Sequence, residues 1–325
     1  MSERVVVAGF DGGASSTTCV IADESGRILG VGRGGPIDHL YLPAGRKRTA
    51  EAVTEAYEAA ARRAQLRRPL RAVVAGLTGL EPGSEESATA VRILRSITSA
   101  GIVSATWDAE IAFFGASAGR PGVMVIGGTG AVALGRNSAG ETARAGGYGY
   151  LIDDAGGGVS IGRAALRAAL RAGEGWAPTT ILTDTFRAQL GGWPEIRRRV
   201  YGEGRGRALL ASLVPAVEDA ARRGDAVARM ILADAGRSLA ELASGIATKL
   251  RMQHEPFDLF LVGGVFKAGR PVLGPLRTEL RSRAPRARIR KPRFPPAIGA
   301  VLMALAAAGV PAGPGVGRRL PETLP

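Results

Sequence analysis

VVVAGFDGGASSTTCVIADESGRILGVGRG, residues 5–34, opens the chain with an apolar run that breaks at an acid and two glycines and then resumes. Residues 5–10 read as a strand, Asp11-Gly12-Gly13 as a turn, residues 17–22 as the returning strand and Asp23-Glu24-Ser25-Gly26 as a hairpin loop before a third strand over 28–32. Downstream, the spacing predicts a helix over about 47–66, a strand at 71–77, a helix at about 84–100 and a short strand at 102–106. Trp107-Asp108-Ala109-Glu110 then opens another helix. The order βββαβαβα makes one complete α/β domain.

The pattern restarts at residues 123–126, an apolar strand followed by the tight turn Gly127-Gly128-Thr129-Gly130 and a returning strand over 131–135. Residues 142–150 supply a third, glycine-rich strand, residues 160–172 and segments of 179–252 read as helices, and a late strand over 259–262 ends in Gly263-Gly264. A last helix near 297–309 precedes a proline- and glycine-rich tail, which the composition predicts to be disordered. Each half thus begins with strand, glycine turn and returning strand, a repeat of architecture and not of sequence.

A chain of 325 residues with 46% hydrophobic and 22% charged residues suggests two globular α/β domains. No apolar stretch reaches the roughly 20 residues of a membrane helix, and the start MSERVVVAGF lacks a signal-peptide layout, so the expectation is a cytoplasmic protein without a membrane partner. Cys19 is alone and His39 and His254 are far apart, which argues against disulfides, zinc and iron–sulfur centres and leaves a hard, oxygen-held cation as the metal to expect. The net charge of +14 invites a nucleic-acid reading. Of the 43 basic residues 39 are arginines, spread along helical segments such as Arg62-Arg63, so solvated helix faces are the better reading and no nucleic acid is expected. A positive surface also gathers ATP.

Backbone N–H groups can cradle phosphate only where the chain comes close, which glycine permits. Asp11-Gly12-Gly13-Ala14-Ser15-Ser16-Thr17 and Gly127-Gly128-Thr129-Gly130 are two such turns, and as a pair they would clamp a polyphosphate from two sides. Asp11, at the end of a buried strand, reads equally as a Mg²⁺ ligand and as a turn-capping aspartate. Asp108, between a strand and a helix, reads as an N-cap or as the general base that phosphoryl transfer needs, and with the phosphate turns present in the chain the base is favoured. Gly115-Ala116-Ser117-Ala118-Gly119 follows a helix and precedes a strand, the reverse of a nucleophile elbow. Gly128–Ala133 fits a dinucleotide fingerprint but leads into a strand, and residues 157–164 lack the lysine and hydroxyl of a Walker loop, leaving a flexible helix entry.

Together Asp11-Gly12-Gly13, Trp107-Asp108-Ala109, Gly128-Thr129-Gly130, the loop from Gly146 to Gly156 and Leu261-Val262-Gly263-Gly264-Val265 resemble the BadF/BadG/BcrA/BcrD-type ATPases, from about Val5 to about Ala308. That family includes N-acetylglucosamine and glucosamine kinases within the actin/hexokinase/Hsp70 superfamily. The resemblance implies an α/β fold of two actin/ribonuclease H-like domains with a nucleotide and substrate cleft between them, residues 1–115 with helix 297–310 returning to them, residues 116–296, and a flexible tail 311–325. It implies an ATP-dependent hexosamine kinase with Asp108 as general base and Asp11 as the Mg²⁺-associated acid. Gly12, Gly13, Ser15, Gly128, Thr129 and Gly130 fall at the nucleotide phosphates, and Gly263 and Gly264 against the adenosine. Asp38, His39, Thr78, Gly147, Tyr148 and Asp154 fall where those kinases contact the sugar. A homodimer is compatible with this reading.

The chain departs from the family's pattern in places: Ala14 replaces a usual third glycine, Ala131-Val132 a usual serine and polar residue, Asp38 a usual asparagine and Tyr148 a common tryptophan. The family also contains ATP-hydrolysing activators of acyl-CoA dehydratases, which hold an iron–sulfur cluster through cysteines, and the single Cys19 counts against that alternative.

Overall fold

The computed structural model describes residues 5–42, 44–81, 83–202, 206–310 and 319–324. The chain divides into two compact units, one comprising the residues through Arg120 together with those from Lys291 onward, the other Pro121–Arg290.

In unit 1, Val6–Gly12 (β1), Thr17–Asp23 (β2) and Ile28–Gly34 (β3) form the antiparallel part of a sheet. Gly45–Ala64 (α1), Ala72–Leu77 (β4), Glu85–Thr98 (α2), Ile102–Trp107 (β5) and Asp108–Ser117 (α3) follow. The strand order is β3-β2-β1-β4-β5, with β1, β4 and β5 mutually parallel. Both faces are covered: Val6, Ala8 and Phe10 enter one core with α1 residues Ala52, Val53, Ala56 and Ala60, while Val7 enters another with Ile298, Val301 and Leu305. This two-sided burial explains why β1 is apolar at nearly every position. Glycines 30, 32 and 34 let α1 approach β3, since a Cβ at each would lie within 2.2 Å of the carbonyl oxygens of Ala60, Ala56 and Ala52.

Unit 2 repeats the plan. Gly122–Gly127 (β6), Ala131–Arg136 (β7) and Thr142–Gly146 (β8) are antiparallel. Helices Gly158–Gly173 (α4), Leu182–Leu190 (α5), Trp193–Tyr201 (α6), Gly206–Ser212 (α7), Val214–Arg222 (α8) and Ala226–Lys249 (α9) come next. Phe257–Val262 (β9), Arg270–Arg283 (α10) and Ala287–Arg290 (β10) complete the unit, and Pro296–Ala307 (α11) returns to unit 1. The order β10-β9-β6-β7-β8 is that of unit 1 read from the other edge, with β6, β9 and β10 parallel.

Four expectations change. The glycine-rich strand ends at Gly146, because Gly146, Gly147 and Gly149 all take positive φ and turn the chain away. Helix α10 and strand β10 lie in a stretch with no predicted element. The units divide at 120/121 and 290/291, not at 115/116 and 296/297, because the N–H groups of Arg293 and Phe294 donate to the carbonyls of Ala116 and Gly115. In the tail expected to be flexible, residues 311–318 and 325 lie outside the described residues, whereas Leu320 is buried and Leu324 packs against the same core of unit 1. No helix among the described residues is long and apolar enough to cross a membrane.

Candidate active site

Strand register assembles the site of unit 1. Gly12 on β1 pairs with Leu77 on β4, and Leu77 with Trp107 on β5, so the residues that follow, Gly13, Thr78 and Asp108, leave three parallel strands at the same end. That end is where open α/β sheets bind ligands. Asp11 lies beside it, in register with Gly76. Its carboxyl is pushed up to about 6, first by burial and second by the charge of Asp108. Asp108 is also raised, by burial, although the N–H groups of Ala109 and of Asp108 itself, the Thr78 hydroxyl and the nearby His39 all pull the other way. As for the N-cap alternative, Trp107 holds the cap position of α3 and Asp108 is its first helical residue, with Ala109 N–H still donating to its carboxylate.

The loop after β3 adds Asp38 and His39. Asp38 Oδ1 accepts from the His39 N–H at 2.8 Å and Oδ2 from Arg48 Nη1 at 3.1 Å, so the aspartate in the asparagine position is partly neutralised by α1. The His39 ring stacks on Tyr41 at 5.1 Å and its buried Nδ1 has no protein partner. Gly79, at φ +70°, makes room for it: a Cβ there would stand 2.0 Å from Nδ1. Ser15 is exposed at the tip of the first turn, and the carbonyls of Gly12 and Gly13 accept from Thr78 and Ile37, tying that turn to the acids' end of the sheet.

In unit 2 the second turn follows β6, and Gly263-Gly264 follows the parallel neighbour β9, in matching register. Gly263, at φ +114°, touches the turn: a Cβ would lie 2.3 Å from the Gly127 carbonyl oxygen. The turn is also braced by the start of α4. Gly158 N–H donates to Gly128 at 2.8 Å, Val159 N–H to Thr129 at 3.0 Å, and Gly157 packs directly on the Gly130 backbone. The stretch read as a flexible helix entry is therefore a hydrogen-bonded scaffold, and α4 begins at Gly158. Asp154, buried at φ +64°, sets its carboxylate against Gly130, where a Cβ would be 2.4 Å away. Gly147 turns the chain beside Val132, and Tyr148 stands 65% exposed with the Arg144 guanidinium 5.1 Å from its ring centre.

Gly128 and Gly264 differ from these packed glycines, since a Cβ on either would meet nothing within 4 Å. Both line a pocket of about 360 Å³ with Thr129 and Gly158. The backbone there is open to approach from outside, and a polyphosphate would fit such a cradle. Among the described residues no three or more His, Cys, Asp or Glu gather to hold a metal. Two adjacent carboxylates with raised pKa values fit a Mg²⁺ ion that takes its remaining ligands from phosphates and water, and not a closed protein cage.

Asp11 also makes a testable contribution to stability. A carboxyl whose folded pKa is raised favours the protonated form, so its contribution is complete below about pH 4 and is lost as pH rises through about 6. Asp11→Asn should therefore melt above the parent protein at pH 8, by at most about 3 kcal/mol, with the gap closing toward pH 4. Melting curves from pH 4.5 to 8, without nucleotide or metal, test this, and a gap that does not depend on pH would refute it.

Two sheets of identical order, each ending in a glycine turn at the carboxyl ends of its parallel strands, define the two-unit actin-like architecture of the sugar kinases. The chain belongs to the BadF/BadG/BcrA/BcrD ATPase family, whose profile matches residues 8–304. It is 30% identical over 302 residues to the N-acetylmuramic acid/N-acetylglucosamine kinase of Clostridium acetobutylicum, covering 92% of this chain and 97% of the relative. Identity to the N-acetyl-D-glucosamine kinase of Dictyostelium discoideum is 26% over 318 residues, covering 94% and 99%. A solved structure from Chromobacterium violaceum, assigned as an N-acetylglucosamine kinase, superimposes with a TM-score of 0.71 at 26% identity, covering 92% and 99%. The ROK family glucokinase of Streptomyces griseus, solved with glucose and AMPPNP, shares the fold at a TM-score of 0.55 and 19% identity, covering 92% and 99%.

Proposed function

We propose that this chain is an ATP-dependent amino-sugar kinase that phosphorylates the 6-hydroxyl of an acceptor such as N-acetylglucosamine or glucosamine. The observation that carries the reading is the placing of Asp108, with the Thr78 hydroxyl on its carboxylate and Asp11 beside it, at the carboxyl ends of β1, β4 and β5 in a chain of this family. A carboxylate whose pKa is raised toward the working pH is a better proton acceptor than an ordinary one. Asp38, His39 and Thr78 on unit 1 and Gly147, Tyr148 and Asp154 on unit 2 are the proposed sugar contacts. Ser15, Thr129 and the glycines of both turns are assigned to the phosphates, Gly263 and Gly264 to the adenosine, and Asp11 to the Mg²⁺ that accompanies ATP and offsets phosphate charge.

In the proposed step Thr78 and the N–H of Ala109 hold the Asp108 carboxylate toward the acceptor hydroxyl. As that oxygen bonds to the γ-phosphorus its proton passes to Asp108, while the bridging P–O bond breaks and its electron pair leaves with ADP. The dehydratase-activator alternative needs cysteine ligands, and Cys19 is buried at 0% exposure within β2 with its thiol pushed up by burial.

An ATP-coupled assay over hexoses, glucosamine, N-acetylglucosamine and N-acetylmuramic acid tests the reading. We expect a 2-amino or 2-acetamido sugar to exceed glucose by at least about tenfold in kcat/KM, since a site hydrogen-bonding a substituent rejects analogues lacking it. Phosphorus NMR should place the phosphate on the 6-oxygen. ATP hydrolysis that no sugar stimulates would overturn the proposal.

A further inference from the structure

The start of the loop that carries Gly147 and Tyr148 is hard to hold still by its backbone alone. Gly146, Gly147 and Gly149 all take positive φ, and glycine gives up more conformational freedom on folding than any other residue. The later part of the loop closes on itself: the N–H groups of Ile152 and Asp153 donate to the Gly149 carbonyl, and that of Gly157 to the Asp154 carbonyl. At its start the loop is gripped by a side chain, Arg144 of β8. Its Nε donates to the Gly146 carbonyl at 3.2 Å and its Nη2 to the Gly147 carbonyl at 2.8 Å, while the same guanidinium lies over the Tyr148 ring. In the sequence Arg144 is one of 43 basic residues, and nothing sets it apart.

We propose that Arg144 is a positioning residue for the sugar acceptor: it fixes the Gly147 backbone and the Tyr148 ring before the sugar arrives, and so sets the acceptor's affinity. The inference rests on the amino-sugar kinase reading above for what the loop contacts. Nε and Nη2 are the two donors along one edge of a planar guanidinium, so one side chain spans two successive carbonyls in fixed geometry. A lysine ammonium brings the same charge as a point, without that edge. Tyr148 is mostly exposed, so the cation over its ring is the contact that orders it. Without the guanidinium the glycine-rich start of the loop would have to be ordered by the sugar itself, and that ordering weakens binding. Asp108 stands on unit 1 and the two phosphate turns are built from other residues, so the effect falls on the acceptor and not on ATP.

Steady-state kinetics with N-acetylglucosamine and glucosamine, beside calorimetric titration with Mg-ATP, test this in the parent protein, Arg144→Lys and Arg144→Met. Both variants should raise the acceptor KM by about 10- to 100-fold, the range for hydrogen bonds from a charged group. Turnover at saturation, ATP affinity and melting temperature should stay near the parent's, the pattern of lost acceptor binding. Tyr148→Ala should also lower acceptor kcat/KM by a larger factor in the parent than in Arg144→Met, where the ring is already released. A near-parental acceptor KM in either arginine variant would overturn the assignment, as would equal effects of Tyr148→Ala in the two backgrounds. A matching fall in ATP affinity or melting temperature would also overturn it, by making Arg144 a residue of the general fold. Each of these results leaves the kinase reading intact, whereas a parent that phosphorylates no amino sugar would overturn both.

Discussion

Asp108→Asn should lower turnover by about 10²- to 10⁴-fold while leaving the melting temperature nearly unchanged. Asparagine keeps the shape and one acceptor oxygen, so the Thr78 hydroxyl and the N–H of Ala109 retain a partner, and the cap position of α3 at Trp107 is untouched. What disappears is the group that takes the acceptor's proton. Removal of a charge that burial disfavours also offsets the weaker hydrogen bonds, so no large change in stability is expected. Asp11→Asn is the informative comparison. Its defect should ease as Mg²⁺ is raised, because it weakens a contact to the ion, whereas the Asp108→Asn defect should not respond. Steady-state rates over a range of Mg²⁺ decide the matter. Near-parental turnover of Asp108→Asn on the best amino sugar would reduce Asp108 to a helix-start residue and leave only nucleotide binding.

Gly128→Val should abolish measurable ATP binding, a loss of at least about 100-fold, with little change in melting temperature. The separation follows from the surroundings of that glycine: its φ is not positive, and a Cβ would meet nothing of the protein within 4 Å. The fold therefore tolerates a side chain, but the branched group would occupy the space through which a phosphate reaches the turn. Gly263→Ala should behave differently. There φ is +114° and a Cβ would come within 2.3 Å of the Gly127 oxygen, so stability and binding should fall together. Calorimetric titration with Mg-ATP beside melting curves tests both variants. A Gly128→Val protein that binds ATP like the parent would show that the turn does not hold the phosphates.

Much of this architecture is legible in single-sequence patterns because both β1 and β6 are buried on two faces and bounded by glycine, so period and punctuation agree. The reading fails where they disagree. In α10, Gly274 and Pro275 obscure the helix, which forms because Val272, Leu276 and Leu280 make an i,i+4 stripe buried in the core of unit 2. Gly236 of α9 lets the two helices meet, since a Cβ there would be 2.2 Å from the Val272 carbonyl. Strand β10 has only four residues, with Arg288 and Arg290 exposed at a sheet edge, too short and too charged to carry a strand signature.

The sequence by itself determined the two glycine turns with Asp11 in the first of them, the placing of Asp108 between a strand and a helix, and the doubling of one βββ-led plan, because each is encoded by neighbours within a few positions. Tertiary structure alone decided what each group faces. Register across β1, β4 and β5 brings Asp11, Thr78 and Asp108 to one end, and burial there raises both carboxyls, an effect of desolvation that no local stretch of chain contains. Likewise only packing distinguishes Gly130 and Gly263, held small by Asp154 and by Gly127, from Gly128 and Gly264, which the protein leaves open. Residues 157–159 brace the second turn, and Glu218 and Lys267 line one pocket with it, because segments distant in sequence come together around the same sheet.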